Sequence, residues 1–454
     1  MKEVLGQSVL ILGYGKEGQS AHRYLSRNHP SKKVGIADQR HIESVVNSPA
    51  KLYTGEEYLQ SIRQYNVIIR SPGVPLQLPA LQEYLKAGKK VTSATNIFFS
   101  ECPGTIIGIT GTKGKSTTTS LIFDILRKEY PDVRLVGNIG RPALDYPPKS
   151  NKKTIFVTEL SCHQLEDAHY SPHIAVLLAI FPEHLDRYKD FSQYIGAKEK
   201  ILEHQTNNDI VVFNPFHQIV NQLVSRHLAQ KRRFSLRSTD QTSCFLDQQK
   251  IFTRKKNGQL QPILNKDEIP LLGEGNIENV LAAISVGALL GASLEKIRRG
   301  IIEFKSLEHR IEFVGEYHGI RFYDDSIATI PEATIHALRA LGDDVETLIV
   351  GGHERNLDFS RLGKFLGKSQ LKTLILFPST GKKIWQALCM ASPKEKQPQK
   401  YEISSMKRAV KIAYQRTSPG KICLLSPASA SFGLFRDYQA RGNLFKKFIL
   451  EKKK

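Results

Sequence analysis

Ile106-Ile107-Gly108-Ile109-Thr110-Gly111-Thr112-Lys113-Gly114-Lys115-Ser116-Thr117-Thr118 opens as an apolar, β-branched run and breaks into a glycine-rich turn. Ser120, Leu121, Ile122, Ile125 and Leu126 then continue it with helical spacing. Strand, Gly-Lys-Ser turn and helix in that order are the parts of a phosphate-binding loop. Gly111 and Gly114 leave room for a phosphate against backbone N–H groups. The helix that follows turns its positive end toward that phosphate. Lys115 would reach the outer phosphates, and the Ser116 hydroxyl would hold Mg²⁺. Counted from Gly111, the loop is one residue shorter than the common G-x-x-x-x-G-K-[ST] form. The competing interpretation is an ordinary glycine-rich βα turn.

Around this stretch the composition sets bounds. A chain of 454 residues exceeds one ordinary core, so several domains are expected. No apolar run approaches the ~20 residues of a membrane span, so no membrane insertion is expected. Met1-Lys2-Glu3-Val4-Leu5-Gly6-Gln7 leads directly toward a strand rather than a signal peptide. Cys102, Cys162, Cys244, Cys389 and Cys423 are scattered and odd in number, with no Cys-x-x-Cys. That argues against a disulfide frame or thiolate zinc and for a reducing cytoplasm. The net charge of +21 suits anionic small substrates as well as nucleic acid. No nucleic-acid-binding motif accompanies it, so no nucleic-acid partner is expected.

Upstream, Val9 to Leu12 followed by Gly13-Tyr14-Gly15-Lys16-Glu17-Gly18 is a strand and a G-x-G-x-x-G turn. A second strand, Val34 to Asp38, ends in an acid about twenty residues later. Such a turn cradles any diphosphate, NAD included. Val67 to Arg70 runs into a tight loop at Ser71-Pro72-Gly73, and the residues from Gly88 to Ser93 start a further strand.

Downstream, Thr154 to Glu159 and Ile174 to Ile180 read as buried strands. Glu159 and His184 fall after separate strands, at the carboxyl edge where open α/β sheets gather ligands. Singly they suit a helix cap and a loop histidine; beside the Gly-Lys-Ser loop, metal ligation is favoured. Phe191 to Glu203 reads as a helix in which Lys198, within Ala197-Lys198-Glu199-Lys200, looks like a solvated lysine. The polar segment from Ser235 to Asp267 predicts a short antiparallel excursion. Asn276 and Asn279 share one face at the head of an apolar helix. From about Leu307, strands at Thr347, Leu374 and Ile422 with helical stretches between them predict another doubly wound domain.

In order, the chain carries the phosphate loop, Gly137-Asn138-Ile139-Gly140, Glu159-Leu160-Ser161, Glu183-His184-Leu185-Asp186-Arg187, Asn276 with Asn279, His309-Arg310, Asp325-Ser326, and Ser426-Pro427-Ala428-Ser429-Ala430-Ser431-Phe432. With these it resembles the Mur ligase family over essentially its whole length, and within it the branch that adds glutamate. The resemblance implies an α/β protein of three domains. Residues 1–103 would be Rossmann-like and bind the UDP substrate. Residues 104–304 would be a central, P-loop ATPase-like domain with a mostly parallel sheet. Residues 305–454 would be Rossmann-like and bind glutamate and ATP.

The resemblance also implies roles. Gly13, Gly15, Gly18, Asp38, Ser71, Asn138, Ser161 and Gln164 would hold UDP-N-acetylmuramoyl-L-alanine. ATP would lie on Gly111, Thr112, Lys113, Gly114, Lys115, Ser116 and Thr117, with Asn276, Asn279, Arg310 and Asp325. Thr329, Arg355, Ser431 and Tyr438 would hold glutamate. Ser116, Glu159, His184 and Lys198 would serve two Mg²⁺ sites, Lys198 as a carbamate. Lys115, His184 and Lys198 would carry catalysis, in a cytoplasmic monomer.

Several positions depart from the family's usual residues: Ala179 for Asn, Glu183 for Asp, Gly275 for His, Ile327 for Lys, Arg355 for Lys and Ser429 for Cys. Arginine and lysine are not interchangeable at a carboxylate. These changes also resemble a variant that adds L-glutamate, so the added enantiomer stays open. Another ligase of similar fold, such as a folylpolyglutamate synthase, and a nucleotide-binding protein or NAD dehydrogenase are the remaining alternatives.

Overall fold

Three short apolar runs, Val9–Leu12 (β1), Val34–Asp38 (β2) and Val67–Arg70 (β4), pair in parallel because both faces of each are covered. With Lys51–Thr54 (β3) and Lys90–Thr92 (β5) they form a sheet of order β3-β2-β1-β4-β5. The order of strands reverses beside β1, which opens a crevice at the carboxyl ends of β1 and β4. The glycine turn leaves β1 there and enters helix α1, Lys16–Asn28. This is a computed structural model, and it describes residues 8–45, 49–146, 151–183, 187–255, 257–305 and 307–451.

The central sheet holds nine strands: Thr105–Thr110 (β6), Val133–Gly137 (β7), Ile155–Glu159 (β8), Ile174–Leu177 (β9), Ile210–Phe213 (β10), Gln230–Ser235 (β11), Cys244–Asp247 (β12), Lys250–Arg254 (β13) and Leu260–Asn265 (β14). Their order is β14-β13-β12-β11-β10-β9-β6-β8-β7. β6 lies between β9 and β8, parallel to both. β12, β13 and β14 pair antiparallel, which is the excursion expected from the polar segment. β9 stops three residues short of the expected Ile180. From Leu178 the chain follows the phosphate loop instead, with the Thr112 N–H donating to the Ala179 carbonyl at 2.8 Å. Helix α2, Lys115–Leu126, follows β6; the four-residue helix α3, Cys162–Leu165, follows β8. Helix α4 is Phe191–Glu203 and α5 is Glu274–Leu290.

One apolar core runs through both sheets. Ala21, Tyr24 and Leu25 of α1 join Ile97 and Phe98, and the same cluster continues to Val136 and Phe156 of the central sheet. A buried ion-pair cluster adds a polar tie. Arg70, 1% exposed at the end of β4, donates Nε to Asp167 Oδ2 at 3.2 Å and Nη1 to the Val74 carbonyl at 2.7 Å. Its Nη2 donates to the His163 carbonyl at 3.1 Å, and Glu166 is shared with Arg187 at 3.0 Å. Residues up to Ile269, with Gly275–Phe304, accordingly form one compact unit.

Pro270–Glu274 and the residues from Lys305 onward form the second unit. Its strands are Glu312–Tyr317 (β15), Ile320–Asp324 (β16), Val345–Gly351 (β17), Thr373–Phe377 (β18), Gln399–Glu402 (β19) and Ile422–Leu425 (β20). The order is β15-β16-β20-β17-β18-β19, parallel except for the antiparallel edge strand β15. Pro331 opens helix α6, Pro331–Leu341, in its first turn, where its missing N–H costs nothing. Tyr438–Glu451 is helix α7.

Candidate active site

The phosphate loop is held open by what its glycines avoid. Gly114 caps α2 at φ +84°, and a Cβ there would stand 2.3 Å from Asn279 Oδ1. Gly111 has φ +155°, and a Cβ would meet Leu178 Cβ at 2.6 Å. Thr112 Oγ1 accepts from the Phe181 N–H at 2.9 Å and lies 3.0 Å from the Tyr194 hydroxyl, so the loop is bound to the β9–α4 segment. Lys113 pairs with Glu183. Asn279 accepts from Thr118 Oγ1 at 3.1 Å and donates to Asn276 Oδ1 at 3.1 Å, which puts both α5 asparagines on the loop's side. Ser116 and Thr117 occupy the first turn of α2.

Lys115 curls back to donate to the Gly111 and Thr112 carbonyls, each at 3.0 Å. Burial lowers its amine pKa, and Glu159 and Glu183 oppose the shift. Lys198, expected to be solvated from its local sequence, is 1% exposed and donates to the Gly111 carbonyl at 2.7 Å. Burial, with the charge of Lys115 adding to it, pushes its pKa down to about 7. Glu159, also 1% exposed, ends β8. Its Oε1 accepts from Asn138 Nδ2 at 2.8 Å, while Oε2 is buried without a hydrogen-bond partner among the described residues. An unpaired buried carboxylate oxygen fits a cation, because otherwise its desolvation is uncompensated. His184 lies outside the described residues.

Lys115, Lys198, Asn138, Ser161 and Gln164 line a cavity of about 290 Å³ together with Glu17, Pro72, Cys162, His163 and Tyr194. It lies where the N-terminal sheet meets the central one. Ser161 caps α3 in a capping box: its hydroxyl accepts from the Gln164 N–H at 3.2 Å, and Gln164 Oε1 accepts from the Ser161 N–H at 2.8 Å. On the N-terminal side, Ser71 Oγ donates to the Gly13 carbonyl at 2.6 Å, and Gly18 packs where a Cβ would stand 2.1 Å from that carbonyl. Among the described residues nothing lies within 4 Å of a Cβ at Gly15, which leaves room at the crest of the turn for a ligand. Asp38 accepts from the Tyr14 N–H at 2.6 Å and pairs with Arg40 at 3.1 Å. Burial would raise its pKa, but these hydrogen bonds outweigh burial and lower it. Asp38 thus braces the turn and positions Arg40.

In the second unit, Asp325 is 4% exposed and accepts from Ser426 Oγ at 2.7 Å. Burial lifts its pKa to about 7. Arg310 is half-buried, with its charge acting on Asp325. Arg441, fully buried in α7, donates to the Ser326 carbonyl at 2.8 Å and to the Ser429 carbonyl at 3.0 Å, tying together the loops after β16 and β20. Ser431 is buried, Thr329 and Tyr438 are half-buried, and Arg355 is exposed. Arg441 and the Arg70 cluster escaped the sequence reading. A lone charge closing an apolar run, as Arg70 does, is the signal that would have found the second. Glu17 escaped because a spacer in a glycine motif reads as unconstrained.

Comparison with known proteins agrees with this arrangement. Family models match in chain order: the Mur ligase MurD-like N-terminal domain over residues 7–93, the Mur ligase middle domain over 109–287, and the Mur ligase glutamate ligase domain over 309–429. The UDP-N-acetylmuramoylalanine–D-glutamate ligase of Acidobacterium capsulatum is 34% identical, over 99% of this chain and 97% of its own. That of Koribacter versatilis is 33% identical, over 98% of each. Among solved structures, UDP-N-acetylmuramate-alanine ligase MurC from Thermotoga maritima superposes with a TM-score of 0.62 at 16% identity, covering 98% of this chain and 99% of its own. The MurF ligase from Thermotoga maritima in complex with ADP gives 0.59 at 17% identity, over 100% of both chains. Such identities carry the fold alone, but the full-length relatives and three ordered domain matches carry more: this chain belongs to the Mur ligase family.

Proposed function

We propose that the chain joins D-glutamate to UDP-N-acetylmuramoyl-L-alanine, as the names of its full-length relatives suggest, and that it converts ATP to ADP and phosphate in doing so, a reading supported by the Gly-Lys-Ser loop at the head of α2. The observation that carries this is the cavity between the two sheets, where Lys115 and Lys198 face the capped α3 turn. A carboxylate is a poor acyl donor to an amine, so the alanine carboxylate oxygen first attacks the γ-phosphorus and ADP departs. The glutamate amine then attacks the acyl carbon; phosphate leaves and the amine gives up a proton.

Lys115 supplies the cation beside the transferred phosphoryl group. The glycine turn of Gly13, Gly15 and Gly18, with Ser71, holds the UDP moiety, and Asn138, Ser161 and Gln164 border the acceptor. Asn276 and Asn279 are assigned to the adenine side, Arg310 and Asp325 to the nucleotide from the second unit. Thr329, Arg355, Ser431 and Tyr438 are assigned to glutamate. Mg²⁺ would be held by Ser116, Glu159, His184 and Lys198 and would neutralise the crowded oxyanions. A lysine amine pushed toward pKa 7 has a free electron pair near neutral pH. Its nitrogen can add to CO₂, losing one proton to solvent and leaving a carbamate. That would make Lys198 an anionic ligand beside Glu159.

The test is phosphate release from ATP with the UDP-acceptor and each glutamate enantiomer in turn. Release with D-glutamate is expected. Release with L-glutamate alone would replace the donor, and none with either would overturn the reaction.

A further inference from the structure

Glu17 sits between Gly15 and Gly18 in the first turn of α1, where no side chain caps the helix, and its carboxyl takes its hydrogen bond from another element. Gln164 Nε2, on α3, donates to its Oε1. That amide cannot be reversed, because Gln164 Oε1 already accepts from the Ser161 N–H at 2.8 Å and the Ser161 hydroxyl at 3.0 Å. The capping box therefore fixes which glutamate oxygen is occupied. The other, Oε2, is buried without a hydrogen-bond partner among the described residues, and Glu17 lines the cavity that holds Lys115 and Lys198. A buried oxygen in that state is relieved by a proton, and a protonated carboxyl is a strong donor to an oxyanion.

We propose that Glu17 is a specificity-determining residue for the nucleotide-sugar acceptor, donating a hydrogen bond from protonated Oε2 to an oxygen of its diphosphate. This rests on the acceptor reading above. The diphosphate is the fitting oxyanion because Glu17 belongs to the glycine turn itself, one residue beyond the open crest at Gly15 and Lys16. Burial raises the Glu17 pKa to about 7; Asp167 adds to the rise, while Gln164 and Arg70 oppose it. Around it stand Arg70 at the end of β4, His163 and Gln164 on α3, Lys115 on α2 and Lys198 on α4. Lys198 also titrates near pH 7, so the decisive variant must change Glu17 alone.

Calorimetric binding of UDP-N-acetylmuramoyl-L-alanine to the full chain, without ATP, tests the proposal at pH 6.5 and 8.0. The wild-type protein should bind roughly eight-fold more weakly at the higher pH, as expected when only the protonated form binds and its pKa is about 7. Glu17→Gln keeps a donor that does not titrate, and should bind about equally at both. Glu17→Ala should bind weakly at both. UDP-N-acetylglucosamine carries the diphosphate diester and no carboxylate, and should show the wild-type dependence. An infrared difference spectrum on binding should show a protonated-carboxyl band that Glu17→Gln lacks. A wild-type profile without slope, or a slope retained in Glu17→Gln, overturns the proposal, the second assigning the titration to Lys198 or His163. A slope confined to the carboxylate-bearing acceptor overturns the diphosphate assignment. Absence of binding by either nucleotide in every protein would instead sink the acceptor reading.

Discussion

Lys198 joins a buried position to a charged side chain, and that tension decides its chemistry. Tyr194, Ala197, Ile201 and Leu202 are buried on the same helix, and Lys198 falls on their stripe at i+4 from Tyr194. The signal was therefore present in the spacing, but a lysine between Ala197 and Glu199 reads as solvent-facing until its stripe is drawn. Burial stabilises the neutral amine, the form that reacts with CO₂. Lys198→Ala should abolish phosphate release while leaving the fold intact by circular dichroism, and millimolar formate or acetate should restore part of the rate. A fully active Lys198→Ala protein would return the residue to a structural role. Other residue roles were beyond reach of the sequence for a different reason. Asn138 could be placed in a hydrogen-bonding turn, but its orientation toward Glu159 depends on β7 lying beside β8.

At the scale of elements, the phosphate loop was legible because its constraints are local. A glycine at φ +84° and a helix beginning at the next residue are written in consecutive letters. Gly114→Ala should therefore be informative. It places a side chain in the left-handed region, at a cost of about 1–2 kcal/mol, and pushes against Asn279. Thermal unfolding should shift down by a few degrees, and ATP affinity measured by calorimetry should fall by more than ten-fold. Unchanged affinity would mean that the loop does not bind phosphate in this backbone conformation. Buried parallel strands were equally legible, as continuous apolar runs. The edge strands β3 (Lys-Leu-Tyr-Thr) and β19 (Gln-Lys-Tyr-Glu) were not, since one side of each faces solvent and their residues are polar. β9 was read too long because an apolar run does not reveal that the Ala179 carbonyl accepts from the phosphate loop at Thr112 rather than extending the strand.

On the scale of the whole molecule, two compact units with separate cores should not unfold as one. Differential scanning calorimetry is expected to resolve two transitions, with a calorimetric enthalpy above the van't Hoff value. An ATP analogue with the UDP-acceptor should raise the first unit's transition, because only the folded form binds. A single two-state transition would show that the units are energetically fused. Within the first unit, the Arg70–Asp167–Glu166 cluster limits how its parts can be recombined. A chimaera that takes its first hundred residues from a relative without the arginine leaves two buried carboxylates short of their counter-charge. Removing one partner of such a group costs about 3–5 kcal/mol. A relative carrying the arginine but lacking the acids fails for the opposite reason. The N-terminal sheet and the central sheet should thus be inherited as a single block. Recombination points, natural or engineered, should be tolerated near residue 304 and penalised near residue 103.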